Sequence, residues 1–225
     1  MGITVWVRRD PEPVPVAEPV ASGPGGADDH APAAGSSSVA SLDWEELRAC
    51  VTACRTCEQL ASTRTQTVFG VGDRDADWLF IGEAPGAEED RRGEPFVGRA
   101  GQLLDNMLAA LRLRRGDNVY IANILKCRPP GNRDPRPEES AACRDFLDRQ
   151  IGLIGPRVIV ALGRVAAQAL LDTSAPLGRL RGGDYDYRGI PVVVTYHPAY
   201  LLRAPGDKGK AWQDLRKARA WLLDA

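Results

Sequence analysis

The 225-residue chain has no apolar run approaching the roughly 18 residues that a membrane helix needs, which excludes a spanning segment. It also lacks the marks of a secretory leader. Between Met1 and Pro19 it carries Asp10, Glu12 and Glu18 among prolines, where a leader has a basic start and an apolar stretch. A cytoplasmic protein is expected. No motif recurs, so a repeat architecture is not expected. Lysine is scarce, at four of the 29 basic residues, and the other 25 are arginine, whose planar fork suits phosphate. Histidine is scarcer still, with only His30 and His197. A net charge of −1 gives no bulk attraction for nucleic acid. That average hides a split. Residues 1–40 hold two basic residues against five acidic ones, and the remainder holds 27 against 25. Only local basic patches can argue for DNA.

Residues 8–41 are rich in Pro, Ala, Gly and Ser, with almost no aromatic side chain. Such a segment buries too little apolar surface to offset its ordering entropy. A disordered tail is expected over residues 1–41, and one domain over 42–225. Ser41-Leu42-Asp43-Trp44-Glu45-Glu46 reads as a capped helix start. Four short apolar runs follow, at Trp78–Gly82, Val119–Leu125, Val158–Leu162 and Val192–Thr195. Helical patterns fall at about Gly98–Leu113, Pro137–Ile154, Arg164–Leu171 and Asp207–Leu223. Continuous apolar strands alternating with helices imply a parallel sheet covered on both faces. In such sheets ligands bind beyond the carboxyl ends of the strands. Three informative loops fall there: Gly82–Gly86, Asn123–Arg136 and His197–Ala199.

The cysteines are Cys50, Cys54, Cys57, Cys127 and Cys143. An odd count without a leader argues against a disulfide framework. Cys54 and Cys57 form a CxxC pair, and the other two ligand candidates stand alone. Structural zinc more often takes two CxxC knuckles, and a Cys followed closely by Pro, as at Cys127, leans toward iron–sulfur. Free buried thiols are the remaining alternative. Cys50 lies one helical turn before Cys54 and is an alternative ligand.

The Gly82-Glu83-Ala84-Pro85-Gly86 turn lets a ligand approach the backbone. Phe96 lies in the next glycine-rich loop, before a helix, as core or as a stacking platform for a base. Asn123 ends a strand, and its amide offers both donor and acceptor, as a structural cap or to read a uracil-like edge. His197 opens His197-Pro198-Ala199-Tyr200-Leu201-Leu202-Arg203, a short loop whose apolar and basic tips suit a wedge entering DNA. Lys126, Arg128, Arg133 and Arg136 form one expected basic patch, and Arg179, Arg181 and Arg188 another, both flanking the same sheet edge.

At these residues the sequence resembles the family 4 (type a) uracil-DNA glycosylases. The matching strings are GEAPGAEEDRRGEPFVGRAGQLLDNML, NILKCRPPGNRDP with Cys143 beyond it, and HPAYLLR. The resemblance spans about Leu42 to Leu223. It implies a three-layer α/β/α sandwich with a central four-stranded parallel sheet, a 4Fe–4S cluster and removal of uracil from DNA. It implies Cys54, Cys57, Cys127 and Cys143 as cluster ligands, with Cys50 free. It also implies that Phe96 stacks on the base, Asn123 reads its O4/N3 edge, and His197 donates toward O2. The backbone of Glu83 and Ala84 then lines the pocket. Where the best-studied glycosylase family has a catalytic Asp, this chain has Ala84. Glu83 is therefore the candidate carboxylate, with Glu89 and Asp90 behind it. Glu89 is also the candidate to collide with the C5 methyl group of thymine. One related branch bonds covalently to DNA through a histidine in a basic loop. The corresponding Lys126–Arg133 stretch has none, so turnover by a monomer is expected. Two alternatives stand beside this. An idle iron–sulfur DNA-binding module should have lost Asn123 or His197, and both are present. A zinc-stabilised protein acting on a nucleotide would be colourless, where a cluster is brown.

Overall fold

The computed structural model describes residues 39–223. The expected tail lies outside the described residues up to position 38. Val39 is already buried in the core, so packing begins before Leu42.

The first helix, α1 (Trp44–Ala53), starts as the sequence dictates. The Asp43 carboxylate accepts from the Glu45 and Glu46 amides at 2.9 Å, and the Glu46 carboxylate accepts from the Asp43 amide at 2.8 Å. This reciprocal capping leaves Trp44, Leu47 and Val51 to face the core. The chain continues through α2 (Glu58–Thr63), β1 (Val71–Gly72), β2 (Trp78–Gly82), α3 (Ala87–Arg92) and α4 (Arg99–Ala110). Then come β3 (Val119–Asn123), α5 (Pro137–Ile154), β4 (Val158–Leu162), α6 (Arg164–Leu171) and α7 (Leu177–Leu180). The last elements are β5 (Tyr185–Tyr187), β6 (Ile190–Thr195), α8 (Pro198–Arg203) and α9 (Lys208–Leu223).

The strands form one sheet in the order β1-β3-β2-β4-β6-β5. Its four central strands are parallel, and both edges are antiparallel. The four-stranded parallel centre is as expected, but the sheet has six strands. The two edge strands are too short and too polar (Val71-Gly72 and Tyr185-Asp186-Tyr187) to stand out as apolar runs.

Every residue of β2, β3 and β4 is buried, because both faces of the sheet are covered. Alternate residues serve opposite faces. Leu79, Ile81, Tyr120, Ala122, Ile159 and Ala161 pack with residues of α1, α5 and α6. Trp78, Phe80, Val119, Ile121, Val158 and Val160 pack with Leu104 and Leu108 of α4 and Leu215 of α9. These are the three layers. Phe80 is wholly buried, and its truncation to alanine would cost about 3–5 kcal/mol. The HPAYLLR segment, expected as a loop, is instead the short helix α8, with His197 as its N-cap. No helix among the described residues is long and apolar enough to cross a membrane.

Candidate active site

Gly82 and Asn123 end β2 and β3 as register partners, and His197 lies two residues beyond β6. Parallel pairing thus brings three distant segments to one carboxyl edge. The ladder runs on past the strands: the Ile124 amide donates to the Gly82 carbonyl at 2.9 Å and the Leu125 amide to the Glu83 carbonyl at 3.0 Å. Glu83 is thereby fixed at the mouth of a cleft of about 490 Å³. Glu83, Ala84, Glu89, Phe96 and His197 all line it, with Arg133, Tyr200 and Arg203 on its walls.

Asn123 does not line the open cleft. It is buried just behind, and its Oδ1 has no hydrogen-bond partner. A methyl group on Gly82 would lie 2.5 Å from that Oδ1 and 2.6 Å from the Phe96 ring, so only glycine lets strand, amide and ring meet here. Leaving such an acceptor buried without a donor costs about 1–3 kcal/mol, which an N–H group of a bound molecule would recover.

The His197 Nδ1 accepts from the Ala199 amide at 3.1 Å. A neutral ring then carries its proton on Nε2. Burial, helped by the positive charge of Arg203, lowers the pKa of His197 to about 4, so the ring is neutral at physiological pH. Its plane lies 29° from that of Phe96, with ring centroids 5.4 Å apart. Burial first and then the charge of Asp134 raise the Glu83 carboxyl, against a lowering by Arg164, to about 7. Sequence reading missed Asp134 and Arg164, because neither is close to Glu83 in the chain.

Phe96 has a left-handed backbone, φ 54°. For a residue other than glycine this costs roughly 1–2 kcal/mol. Two charged side chains hold it. The Glu89 carboxylate accepts from the Val97 and Gly98 amides at 3.1 and 3.2 Å. Arg115 donates to the Pro95 and Phe96 carbonyls at 2.7 and 2.9 Å. Charge-assisted bonds contribute about 1.5–3 kcal/mol each, enough to offset the strain. Arg115 carried no sequence signal, since it sits in an ordinary arginine-rich turn. Asp90, expected behind Glu83, is buried and accepts from the Thr65 amide at 3.0 Å, away from the reacting groups.

The basic patches differ from expectation. Lys126 is buried and donates to the Asn123 carbonyl at 2.8 Å, and burial lowers its pKa to about 8. Arg133 does reach the cleft, held in a fork by the buried Glu139 carboxylate at 2.6 and 2.8 Å. Of the second patch, Arg181 is paired with the buried Asp214, and Arg188 lies in the turn before β6, at the opposite end of that strand. Those two arginines do not form one face at the site.

The cysteines gather beside the same edge, and none is in a disulfide. Burial raises the Cys57 and Cys143 thiols above the usual value, and each lies near enough to other cysteines, Cys57 to Cys127 and Cys54, Cys143 to Cys127 and Cys57, for a neighbouring thiolate to raise it too. Cys127 and Cys143 are buried with Leu60 and Leu125, and Cys57 and Ala84 pack against them. The cluster of thiols therefore backs the wall of the cleft at Ala84. Arg64 donates to the Cys127 sulfur at 2.8 Å, and burial raises the Cys143 thiol to about 12. Two buried and two half-buried thiols with Arg64 and Lys126 nearby fit a cationic metal group, because thiolates at Cys127 and Cys143 would need positive charge beside them. Among the described residues, no three His, Cys, Asp or Glu side chains are placed to chelate a single ion.

The family profile of the uracil DNA glycosylase superfamily matches residues 69–216. The chain belongs to that superfamily. It is 46% identical over 175 residues to a type-4 uracil-DNA glycosylase of Archaeoglobus fulgidus, covering 74% of this chain and 87% of that protein. It is 45% identical over 173 residues to a type-4 uracil-DNA glycosylase of Thermotoga maritima, covering 75% and 89%. A type-5 uracil-DNA glycosylase of Thermus thermophilus is 36% identical over 160 residues, covering 58% and 73%. The matched superfamily region contains Glu83, Glu89, Phe96, Asn123 and His197, and also Cys127 and Cys143.

Proposed function

We propose that this protein excises uracil from DNA by hydrolysing the N-glycosidic bond, leaving an abasic site. The observation that carries this reading is the buried Asn123 amide with its unpartnered Oδ1 beside Phe96 and His197. That oxygen is suited to accept from N3–H of uracil, while Nδ2 donates to O4. Cytosine has no proton on N3 and presents an amino group in place of O4, so it mismatches both. The base reaches this depth only when extruded from the duplex. Arg203, on the wall of the cleft, would supply positive charge for the backbone, and the exposed Tyr200 and Leu202 would fill the gap in the stack.

As the C1′–N1 bond breaks, its electron pair passes to uracil and charge collects on O2. The neutral His197 donates there through Nε2–H. One such donor is worth roughly 3–4 kcal/mol. Glu83, when ionised, orients a water toward C1′ and takes its proton as the C1′–O bond forms. Glu89, which holds the loop from inside the cleft, would be the side chain to crowd a thymine methyl group, a reading its position in the lining supports. Cys54, Cys57, Cys127 and Cys143 are the residues that would hold a 4Fe–4S cluster, which takes four cysteine thiolates. Bound there, it would tie the α1–α2 junction, the Cys127 loop and α5 together.

The test is incubation of a labelled uracil-containing oligonucleotide with the purified protein, followed by alkali, beside a thymine control. A break only in the uracil strand is expected. No break with folded, brown protein would instead favour an idle iron–sulfur DNA-binding module.

A further inference from the structure

We infer that Arg115 is a positioning residue that fixes the Phe96 ring for base stacking from outside the cleft. The inference rests on the uracil-excision reading for its consequence, though not for its geometry. Arg115 lies in the turn between α4 and β3, and it does not line the cleft. Its guanidinium spans two successive carbonyls, with Nη1 on Pro95 at 2.7 Å and Nη2 on Phe96 at 2.9 Å. The fork is itself oriented. Nε and Nη2 donate to one Asp105 oxygen at 3.1 and 2.9 Å, and Glu94 stands 3.6 Å from Nη1.

The loop is therefore gripped from both sides with opposite polarity. Glu89 takes the amides that follow Phe96, and Arg115 takes the carbonyls at and before it. Between these two grips the backbone turns left-handed at Phe96. The Phe96 carbonyl also presses against α4, where a methyl group on Gly101 would lie 1.6 Å from its oxygen. Without the arginine the two carbonyls lose their charged donor, and the left-handed residue is free to relax to an ordinary conformation. That relaxation would swing the ring away from Gly82 and His197. A ring displaced by about 1 Å can cost about 10²-fold in rate. Lysine cannot replace the fork, because one ammonium does not reach both carbonyls and Asp105 in a fixed plane.

The test is a double-mutant cycle on single-turnover uracil release, with the melting temperature measured for each variant. Arg115→Ala is expected to slow release by about 10²-fold in the wild-type background and not at all in the Phe96→Ala background. Its effect on melting should be the same in both. An equal loss of rate in both backgrounds would overturn the inference, since Arg115 would then act on the whole fold. If Arg115→Ala fails to fold, Arg115→Lys goes through the same cycle. Fluorine NMR with 4-fluorophenylalanine gives a readout independent of activity. The chain has four phenylalanines, and Phe96→Leu identifies the signal. That signal should shift or broaden in Arg115→Ala while the others hold; an unchanged signal would also overturn the inference. A wild-type protein inactive on uracil DNA would break the functional reading, and the fluorine signal would still decide the clamp.

Discussion

Beside the cleft at the carboxyl edge lies a larger one, about 690 Å³, between α5 and α6. Its polar groups are largely spoken for. Arg144 donates to the Tyr187 hydroxyl at 3.0 Å and to the Ala169 carbonyl at 2.7 Å. Arg164 is paired with Asp134 and donates to Gln168, whose amide in turn donates to the Ala175 carbonyl. The smaller cleft is the reverse. It gathers a carboxyl held near neutrality, a histidine held uncharged, an aromatic residue in a left-handed backbone and, just behind, an amide oxygen without a donor. Size therefore does not locate the chemistry. What sets the smaller cleft apart is the meeting of an unpaired amide oxygen, a left-handed aromatic residue and two groups with shifted pKa values at one sheet edge, since each of these alone also occurs elsewhere among the described residues or carries no chemistry by itself.

The largest expected effect lies behind the smaller cleft. Cys127→Ala should yield little soluble protein and no brown colour, since metal binding is coupled to folding; iron content and solubility measure it. A colourless but fully folded, active variant would remove the cluster from the account. Next, His197→Ala should lower uracil release by about 10²–10³-fold at unchanged iron content. Asn123→Leu should abolish discrimination of the uracil edge while melting at or above the wild-type temperature, because it removes an unpaired buried group. A large drop in melting temperature would make Asn123 structural instead. The smallest effect belongs to the larger cleft. Ala169→Leu, which adds bulk there, should leave the rate unchanged, and a marked loss would undo the contrast between the two sites.

Much of this contrast was legible in the sequence, but unevenly. The central strands announced themselves as unbroken apolar runs, and α5 and α6 run over the expected residues, Pro137–Ile154 and Arg164–Leu171. The edge strands did not, since a two-residue or half-polar strand leaves no periodicity. The loops that carry Glu83, Phe96 and His197 could be singled out because strand ends and glycine-rich segments mark a sheet edge, and the family resemblance supplied the roles expected of those residues. The side chains that set their properties could not. Arg115 is 19 residues from Phe96, and Asp134 and Arg164 reach Glu83 only after the sheet is assembled. Lys126 looked like surface charge beside three arginines, yet its ammonium is buried on the Asn123 carbonyl. Sequence shows which groups are present, and packing decides which are spent.

The pH dependence of uracil release tests that distinction most directly. Glu83 must be ionised to receive a proton, and burial together with Asp134 holds its pKa at about 7. His197, at about 4, stays neutral throughout this range and adds no limb. The kcat/KM should therefore rise with pH through about 7 and level off above it. Asp134→Asn, which removes one raising charge, should move the rise to lower pH. Glu83→Gln should abolish it, leaving a low and flat rate. A rise near 7 that survives in Glu83→Gln would contradict the account, because the group that titrates would then lie elsewhere.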